Sequence, residues 1–560
     1  MQLIVTILFA IYIAFSAGVP AVRANVDTVT LNNTEADGKQ PIKEFHHHGG
    51  ASVKFVRGDD YITRWEIDKA GEVAGEILSA QPGSPEGLYL AAKVAFYHGQ
   101  YKKAMELLEG PPQTVADGRW FLSFVTNIYE TARNFEEYTT EHFIIRYISG
   151  KDEVLLEDAG QVLEQAYREI GKDLEYLHGG KVIVEVYPGV DSFSAASTLK
   201  RGEIETSGTV AICHFNRLMI MSPRLLLRGY PWADTLAHEY VHYVITKRTH
   251  NLTPIWFHEG LAKYEESRWK SDGGRELTPL QSHLLARALE DNYFITFEQM
   301  HPSIAKLESA EDAALAFAEV LTAMTYIIEK GGGYPALNDI LDVIAAGRSV
   351  EEAVEEGLGV PFEVFERDWR LYLGQIDLKK IPGLKLMPLK IKKEGEKTGE
   401  ERESPTEIEQ TDARKFTMLG DLLEEQDRSD AALYEYEKAR GHAGLGSPQI
   451  LNKLARAYMQ NHRDDDAQGV LDELLGYYPH YVMAYITQGE LFAKHDDIDN
   501  AIKNFREALY INPFHPVVHQ RLARLYNTKG DKELAKKHMQ RFALVLEGPA
   551  GHHTNKKTTE

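Results

Sequence analysis

A His-Glu-x-x-His arrangement in the stretch TLAHEYVHYV is the clearest sign of chemistry in this chain. His238 and His242 are four residues apart, so a helix would place both imidazoles on one face. A catalytic zinc ion typically takes three protein ligands and leaves one position for water. Glu239 directly follows the first histidine and is placed to act on that water as a general base. The stretch therefore predicts two metal ligands and a base, and it requires a third ligand.

A second stretch, PIWFHEGLAKYEE, supplies a candidate for the third ligand. Glu259 lies in this helix-forming run, with 16 residues between it and His242. That connection is long enough for the chain to turn back and lay a second helix against the first. We therefore expect Glu259 to join the two histidines as a ligand of Zn²⁺.

The two motifs together resemble the signature of gluzincin metallopeptidases, in which the Glu of a W-x-x-E-G-x-A-x-Y segment is the third zinc ligand. They most resemble bacterial peptidase MA-like domains, which are often joined to tetratricopeptide repeats. The resemblance extends over roughly Tyr138 to Asp377. It implies that His238, His242 and Glu259 bind zinc and that Glu239 is the general base of a peptidase.

The residue that stabilises the oxyanion is left open by the sequence. In related domains a Tyr or His from elsewhere helps, and this chain offers three candidates: Tyr326, His214 and His258. The related tyrosine position holds Phe317, which departs from the family pattern. Lys263 also stands where some gluzincins have an acid, and Glu265 or Glu266 could compensate for it.

Other histidines lack ligand spacing with these motifs. His250, His258 and His283 are expected to be surface or packing residues. Three histidines in the stretch FHHHGG lie in a polar segment that lacks a preorganised geometry, so we expect no functional site there.

The elements that position the motif are those of an α+β zincin-like domain, assigned to residues 138–378. EHFIIRYI and KVIVEVYP are typical of strands, separated by an amphipathic helix from about Glu153 to Leu177. GTVAICHFNRLMIMSP predicts two more short strands that meet near Asn216. Pro231 then stands near the start of a helix of some four turns that carries the motif.

A repeated pattern follows between 411 and 546. Ala455, Gly489 and Ala523 superpose at a period of 34 residues, the period of the tetratricopeptide repeat. Tyr458, Phe492 and Tyr526 superpose as well. Small residues where paired helices approach, and aromatics where they pack on the next pair, are what a stacked solenoid needs. We predict four repeats that recruit protein partners, and we expect the segment to fold alone because its stability is a sum over neighbouring repeats and needs no contact with the zincin domain.

The remaining segments complete a multidomain plan. Residues 59–135 read as a helical segment that is similar to a tetratricopeptide hairpin. Three segments are expected to be linkers or tails without a core: 25–58, the highly charged 388–410, and 547–560. Residues 1–24 contain an apolar run followed by small residues, which predicts a secretory signal peptide.

Composition excludes some classes of partner. The formal net charge of -22 argues against nucleic acid, whose phosphates are bound by clustered Lys and Arg. Cys213 is the only cysteine, so no internal disulfide forms. An exported chain without disulfides fits a bacterial envelope, and we expect a periplasmic location. The alternative is an inner-membrane anchor formed by an uncleaved amino-terminal segment, since no later segment is long and apolar enough to span a membrane.

Two functional hypotheses from different classes follow. The first is a zinc endopeptidase of the bacterial envelope that recruits protein substrates through its repeats. The second is a non-catalytic adaptor whose repeats assemble an envelope complex beside a degenerate zincin domain. The presence of all four site residues favours the enzyme, because an adaptor has no physical need for them.

Overall fold

A computed structural model describes residues 52–270, 276–387, 390–392 and 408–547. The predicted signal peptide, most of the predicted linkers and all but the first residue of the tail lie outside these described residues. The chain divides into two compact units. The first comprises the residues up to Arg133 together with Ile245–Thr253, and the second comprises Asn134–Val244 and the residues from Pro254 onward.

The described part of the first unit is helical. Its helices are α1 (Val53–Thr63), α2 (Ile67–Ala80), α3 (Pro85–Tyr97), α4 (Tyr101–Leu108) and α5 (Gly118–Ala132). Helix α1 begins inside the segment that we assigned to a linker, which is a correction of that boundary. The reason is local, because the hydroxyl of Ser52 accepts a hydrogen bond from the backbone N–H of Phe55 and caps the helix.

Helices α3 and α4 form the hairpin that the sequence suggested. Ala92, Tyr101 and Ala104 are buried where the two helices pack. Gly99 has a φ of +66° in the turn between them. The helical hairpin is confirmed, and its assignment to the tetratricopeptide class stays a prediction.

A five-stranded mixed sheet forms the centre of the second unit. The strands are β1 (Phe135–Thr139), β2 (Phe143–Ile148), β3 (Val182–Tyr187), β4 (Ala211–His214) and β5 (Arg217–Met221), in the order β1-β2-β3-β5-β4. The central strands β2, β3 and β5 are parallel, and both edge strands are antiparallel to their neighbours. All residues of β3 and β5 are buried, as expected for strands covered on both faces.

Strand β1 was missed by the sequence analysis, which extended the helical segment to residue 135. Its sequence, FEEYT, is only partly buried, so it lacks the clear apolar alternation of an inner strand. It forms because Phe135 to Thr139 pair with Ile148 to Ile144 of β2. The two strands are neighbours in the chain and form a hairpin, so β1 was missed because its own burial pattern is weak.

Helices surround the sheet and continue after it. They are α6 (Leu156–Asp173), α7 (Val190–Ser197), α8 (Arg201–Ser207), α9 (Trp232–Arg248), α10 (Ile255–Glu265), α11 (Pro279–Asp291), α12 (Ala310–Gly331), α13 (Tyr334–Ala345), α14 (Val350–Leu358) and α15 (Phe362–Leu373). Helix α12 is largely buried and packs against α10. The second unit is therefore mostly helical with a small sheet.

Four helix pairs make up the predicted solenoid. They are α16 (Thr411–Glu424) with α17 (Ser429–Ala443), α18 (Pro448–Gln460) with α19 (Asp464–Tyr477), α20 (Val482–Lys494) with α21 (Ile498–Leu509), and α22 (Pro516–Thr528) with α23 (Lys532–Glu547). Ala455 and Ala523 are buried as the repeat pattern requires. Helix pairs of this kind produce the repeat because each buries its apolar face on its neighbours.

The solenoid is not isolated within its unit. The guanidinium of Arg541 donates hydrogen bonds of 2.7 and 3.0 Å to the two carboxylate oxygens of Asp158 on α6. Lys537 lies 2.6 Å from Glu157. The repeats therefore contact the zincin domain in the folded chain, and folding of the isolated segment 411–546 stays a prediction.

Helices long and apolar enough to cross a membrane are not found in the described part of the chain.

Candidate metal centre

Helix α9 carries the first two candidate ligands. It begins directly after Pro231, and Asp234 in its first turn and Lys247 and Arg248 in its last turn complement the helix dipole. Leu236, Ala237, Tyr240, Val241 and Val244 are completely buried, so the helix is held on several sides. His238 and His242 share one face, with ring centroids 4.7 Å apart.

Helix α10 brings Glu259 to this face. Its close packing depends on Gly260, because a Cβ at that position would lie 2.7 Å from the carbonyl oxygen of Val320 on α12. The glycine that follows the glutamate in the motif therefore lets α10 approach α12. The approach fixes the helix from which Glu259 projects.

The three predicted ligands converge. Nε2 of His238 lies 3.1 Å from Nε2 of His242, and Oε2 of Glu259 lies 3.4 and 3.5 Å from these nitrogens. Ligand atoms at zinc distances in a tetrahedral site are separated by roughly 3.3–3.5 Å. Two imidazole nitrogens and one carboxylate oxygen are also the donor set of a catalytic zinc ion. The donor chemistry and the spacing both fit zinc.

A carboxylate contacts the ring of His238 at Nδ1, the nitrogen that does not face Glu259. Its Nδ1 lies 3.1 Å from Oε2 of Glu266. Glu266 in turn accepts hydrogen bonds of 2.7 and 2.9 Å from the ammonium of Lys263. A carboxylate acceptor at Nδ1 favours the tautomer whose Nε2 lone pair is free for a metal. Glu266 thus supplies the acid that the sequence lacks at Lys263, whereas Glu265 accepts a hydrogen bond from the hydroxyl of Tyr334.

His258, which was expected to be a surface or packing residue, is buried and contacts the second histidine. Its Nδ1 lies 3.1 Å from Nδ1 of His242. Burial, followed by the charge of His242, lowers the pKa of His258 to about 3, so this imidazole stays neutral and its Nδ1 can accept a hydrogen bond from Nδ1–H of His242. The sequence signal for this contact was the position of His258 directly before Glu259.

The charges around the ligands favour a cation. Burial opposes the charged form of His238, but the hydrogen bonds that its ring donates to Glu259 and Glu266 raise its pKa to about 10. The pKa of Glu259 is held low by His242 and His238 despite its burial. Glu266 also stays ionised, with a pKa of about 2, because Lys263 and His238 outweigh its burial. Two carboxylates therefore face this site in their anionic form.

The side chain of Glu239 is buried beside the candidate ligands. It is 6% exposed, and its Oε2 has no hydrogen-bond partner among the described residues. Its carboxylate accepts a hydrogen bond from the backbone N–H of Cys213 on β4. Burial raises the pKa of Glu239. A buried oxygen without a partner is expected where a ligand or water is bound.

The strands before α9 place Cys213 beside Glu239. Strands β4 and β5 form a hairpin whose turn residues, Phe215 and Asn216, both have positive φ. The predicted junction near Asn216 is confirmed.

The three oxyanion candidates lie in different places. Tyr326 packs against the rings of Phe365 and Tyr372. His258 lies behind His242, and His214 is on β4, one residue from Cys213. The structure thus leaves the oxyanion partner unassigned. Phe317 lies under the ammonium of Lys263, which is 5.8 Å from the ring centroid.

The other histidines have structural surroundings. His250 is 3.4 Å from Glu66, and His283 accepts a hydrogen bond from the backbone N–H of Ile381. The stretch FHHHGG lies outside the described residues.

Family models match two parts of the chain. One described as Peptidase MA superfamily matches residues 184–375, and one described as tetratricopeptide repeat matches residues 484–515. These matches agree with the peptidase MA-like domain and the tetratricopeptide repeats that the sequence resembles. Curated protein sequences include no significant match to it.

Solved structures give distant similarities. A crystal structure of MamA is 17% identical, with a TM-score of 0.23, and the match covers 25% of this chain and 81% of that chain. Native yeast LTA4 hydrolase is 12% identical, with a TM-score of 0.29, over 72% of this chain and 66% of that chain. The Cut9–Hcn1 hetero-tetramer of the APC/C is 11% identical, with a TM-score of 0.25, over 88% and 78%. These low TM-scores do not establish a shared fold.

Proposed function

We propose that the protein is a zinc-dependent endopeptidase whose repeats recruit protein substrates or partners, because parts of the chain match the peptidase MA superfamily and the tetratricopeptide repeat. One observation carries the proposal. The ligand atoms of His238, His242 and Glu259 lie together, beside the buried carboxylate of Glu239. This arrangement supports zinc ligation by the three residues and proton transfer by the fourth.

The roles follow from the surroundings of each group. A zinc ion at such a site supplies Lewis-acid chemistry, since it lowers the pKa of water to about 7 and polarises a carbonyl group. Glu239 then takes a proton from the attacking water and delivers it to the leaving amine. Its raised pKa makes it a stronger base than an exposed glutamate. The bond from Cys213 orients the carboxylate and leaves Oε2 available.

The edge of the sheet supports an extended peptide as substrate. Strand β4 is the last strand of the described sheet and carries Cys213 beside Glu239. An edge strand can add an extended chain by backbone hydrogen bonding. A peptide bound in this way would run past the base, and its backbone would not need a free terminus. This geometry favours cleavage within a chain.

We further propose that the protein acts in the bacterial envelope, most simply the periplasm. The apolar run within residues 1–24 and the single cysteine support this location. Fractionation of cells tests it: release of the mature chain with the periplasmic contents supports cleavage of the leader. Retention in the inner membrane supports an anchor, and a cytoplasmic chain with an intact leader would contradict the proposal.

The decisive test of the activity is Glu239→Gln. This change removes the base but none of the three ligands, so zinc content should stay equal to that of the wild type. Proteolysis of casein should fall roughly 100-fold or more. Glu259→Gln is the companion variant, and it should lose zinc as well as activity. Equal proteolysis by wild type and Glu239→Gln at equal measured zinc would rule out the peptidase and favour the adaptor.

A further inference from the structure

The start of the metal-binding helix is hydrogen-bonded to the solenoid. The indole N–H of Trp232, the first residue of α9, donates to the carbonyl oxygen of Leu509 at 2.9 Å. The backbone N–H of Tyr230 donates to the carbonyl oxygen of Ile511 at 3.0 Å. Trp232 is only 1% exposed, so its bond is shielded from water. The turn that follows α21 therefore contacts the first turn of α9.

Gly229 shows how close this approach is. A Cβ at this position would lie 2.1 Å from the carbonyl oxygen of Ile511. Gly229 also has a φ of +73°, a conformation that other residues rarely adopt. The backbone before α9 and the backbone of the solenoid turn are thus in direct contact, and only glycine fits between them.

The same turn contacts the segment that carries the partner of His238. The ring of Tyr510 lies 5.1 Å from that of Trp269 and 6.5 Å from that of Trp232. Trp269 closely follows Glu266 in the chain, and its indole N–H donates to Asp234 of α9 at 2.8 Å. Tyr510 therefore lies between the helix that carries both histidines and the segment that holds His238 in position.

We propose that the turn Leu509–Asn512 of the solenoid positions the metal-binding helix, with Trp232, Trp269 and Tyr510 as positioning residues. The inference rests on the proposed function for its catalytic meaning. The repeats then have a second role besides recruitment, because the orientation of His238 depends on the contact between this turn and the start of α9. A protein partner that shifts this turn would change the affinity for zinc.

A purely adhesive contact predicts something different. If the turn only holds the solenoid on the zincin domain, a weaker contact lowers the unfolding temperature, and the folded protein binds zinc as before. If the turn positions α9, the folded protein binds zinc more weakly, since displaced imidazoles no longer meet Glu259. Zinc affinity measured well below the unfolding temperature separates the two.

The test compares Gly229→Ala with Gly530→Ala in the full chain. Gly530 also has a positive φ, +83°, but a Cβ there would meet no atom within 4 Å. Both variants strain the backbone, and only Gly229→Ala pushes against Ile511. Trp232→Phe is the milder variant, since it keeps a ring and removes the bond to Leu509.

Two measurements read out positioning: zinc affinity by competition with a chelator, and hydrogen exchange of the amides between residues 232 and 244. Gly229→Ala and Trp232→Phe should weaken zinc binding about tenfold or more and speed exchange in this helix. Gly530→Ala should change neither. Wild-type affinity and exchange in both contact variants would overturn the inference. The exchange measurement needs no metal, so it tests the inference even if the wild type binds no zinc. Failure of the wild type to bind zinc would refute the proposed function but not this inference.

Discussion

Oε2 of Glu266 lies 3.1 Å from Nδ1 of His238, on the side of the imidazole that faces away from Glu259. The two carboxylates thus contact the two nitrogens of one ring, because Oε2 of Glu259 is 3.4 Å from Nε2. The pair fixes the direction of the ring, and the carboxylate of Glu266 would keep the proton on Nδ1 when Nε2 binds a metal. The orientation of the first ligand is therefore determined by a residue outside the His-Glu-x-x-His motif.

Glu266→Gln should weaken zinc binding without preventing it. The amide can still contact Nδ1, but it loses the negative charge that raises the basicity of His238. We expect a loss of about 10–100-fold in zinc affinity, measured by chelator competition. Glu290→Gln on α11 is a matched control, because Glu290 is an exposed residue paired with Lys380. An unchanged affinity in Glu266→Gln would show that Glu266 does not support the ligand.

His258→Phe should have a similar effect through the other histidine. The phenyl ring retains the volume of the imidazole but removes the nitrogen that lies 3.1 Å from His242. We expect zinc affinity to fall about 10-fold or more. His283→Phe is the control, because His283 is also buried but bonds to Ile381 and not to a ligand. If the two variants retain equal zinc, His258 is only a packing residue.

The parts of the site that could be predicted are those with a local pattern. The spacing of His238 and His242, the second motif with Glu259 and the strands before α9 all depend on residues close in sequence. The period of 34 residues likewise predicted the helix pairs of the solenoid, because each pair repeats the same local packing.

The parts that were missed depend on distant contacts. His258 acquires its contact with His242 only when α10 lies against α9. Glu266 was one of two candidate acids, and the same packing decides that it contacts His238 while Glu265 does not. Strand β1 is the exception, because it pairs with the neighbouring β2 and was missed only because its partly buried sequence lacks a strand pattern. The bond between Trp232 and Leu509 joins residues that are far apart in the chain. No periodicity records such pairings, so a single sequence could not reveal them.

Stability should fall as the pH falls, partly through His178. This residue is 6% exposed and packs among the rings of Tyr167, Tyr240 and Tyr243. Burial, followed by the charge of His142, lowers its pKa to about 4. The unfolded chain takes up the proton near pH 6.5, whereas the folded chain does so only near pH 4. The stabilisation is therefore complete above pH 6.5 and is lost between pH 6.5 and 4.

The variant His178→Phe isolates this contribution. The shift corresponds to roughly 3 kcal/mol at most, so the decline of the unfolding free energy between pH 6.5 and 4 should be smaller by up to that amount. Urea unfolding at several pH values measures it. His462→Phe, at an exposed position on the solenoid, should leave the decline as in the wild type. Parallel pH profiles for His178→Phe and the wild type would contradict the assigned role.

The last prediction concerns the glycine that follows Glu259. Gly260→Ala would place a Cβ 2.7 Å from the carbonyl oxygen of Val320, and neither backbone can yield without moving α10. We expect the unfolding free energy to fall by about 1–3 kcal/mol. Because α10 carries Glu259, His258 and the start of the segment with Glu266, we also expect weaker zinc binding.

Gly469→Ala is the matched change for this prediction. Gly469 lies within α19, and a Cβ there would meet no atom within 4 Å, so only the helix propensity changes. That variant should be more stable than the wild type by about 0.5–1 kcal/mol, with unchanged zinc affinity. Opposite signs for two glycine-to-alanine changes would attribute the effect at Gly260 to its contact with α12. Stabilisation by both changes would mean that α10 can move away from α12 at no cost, and the motif glycine would then have no role in positioning Glu259.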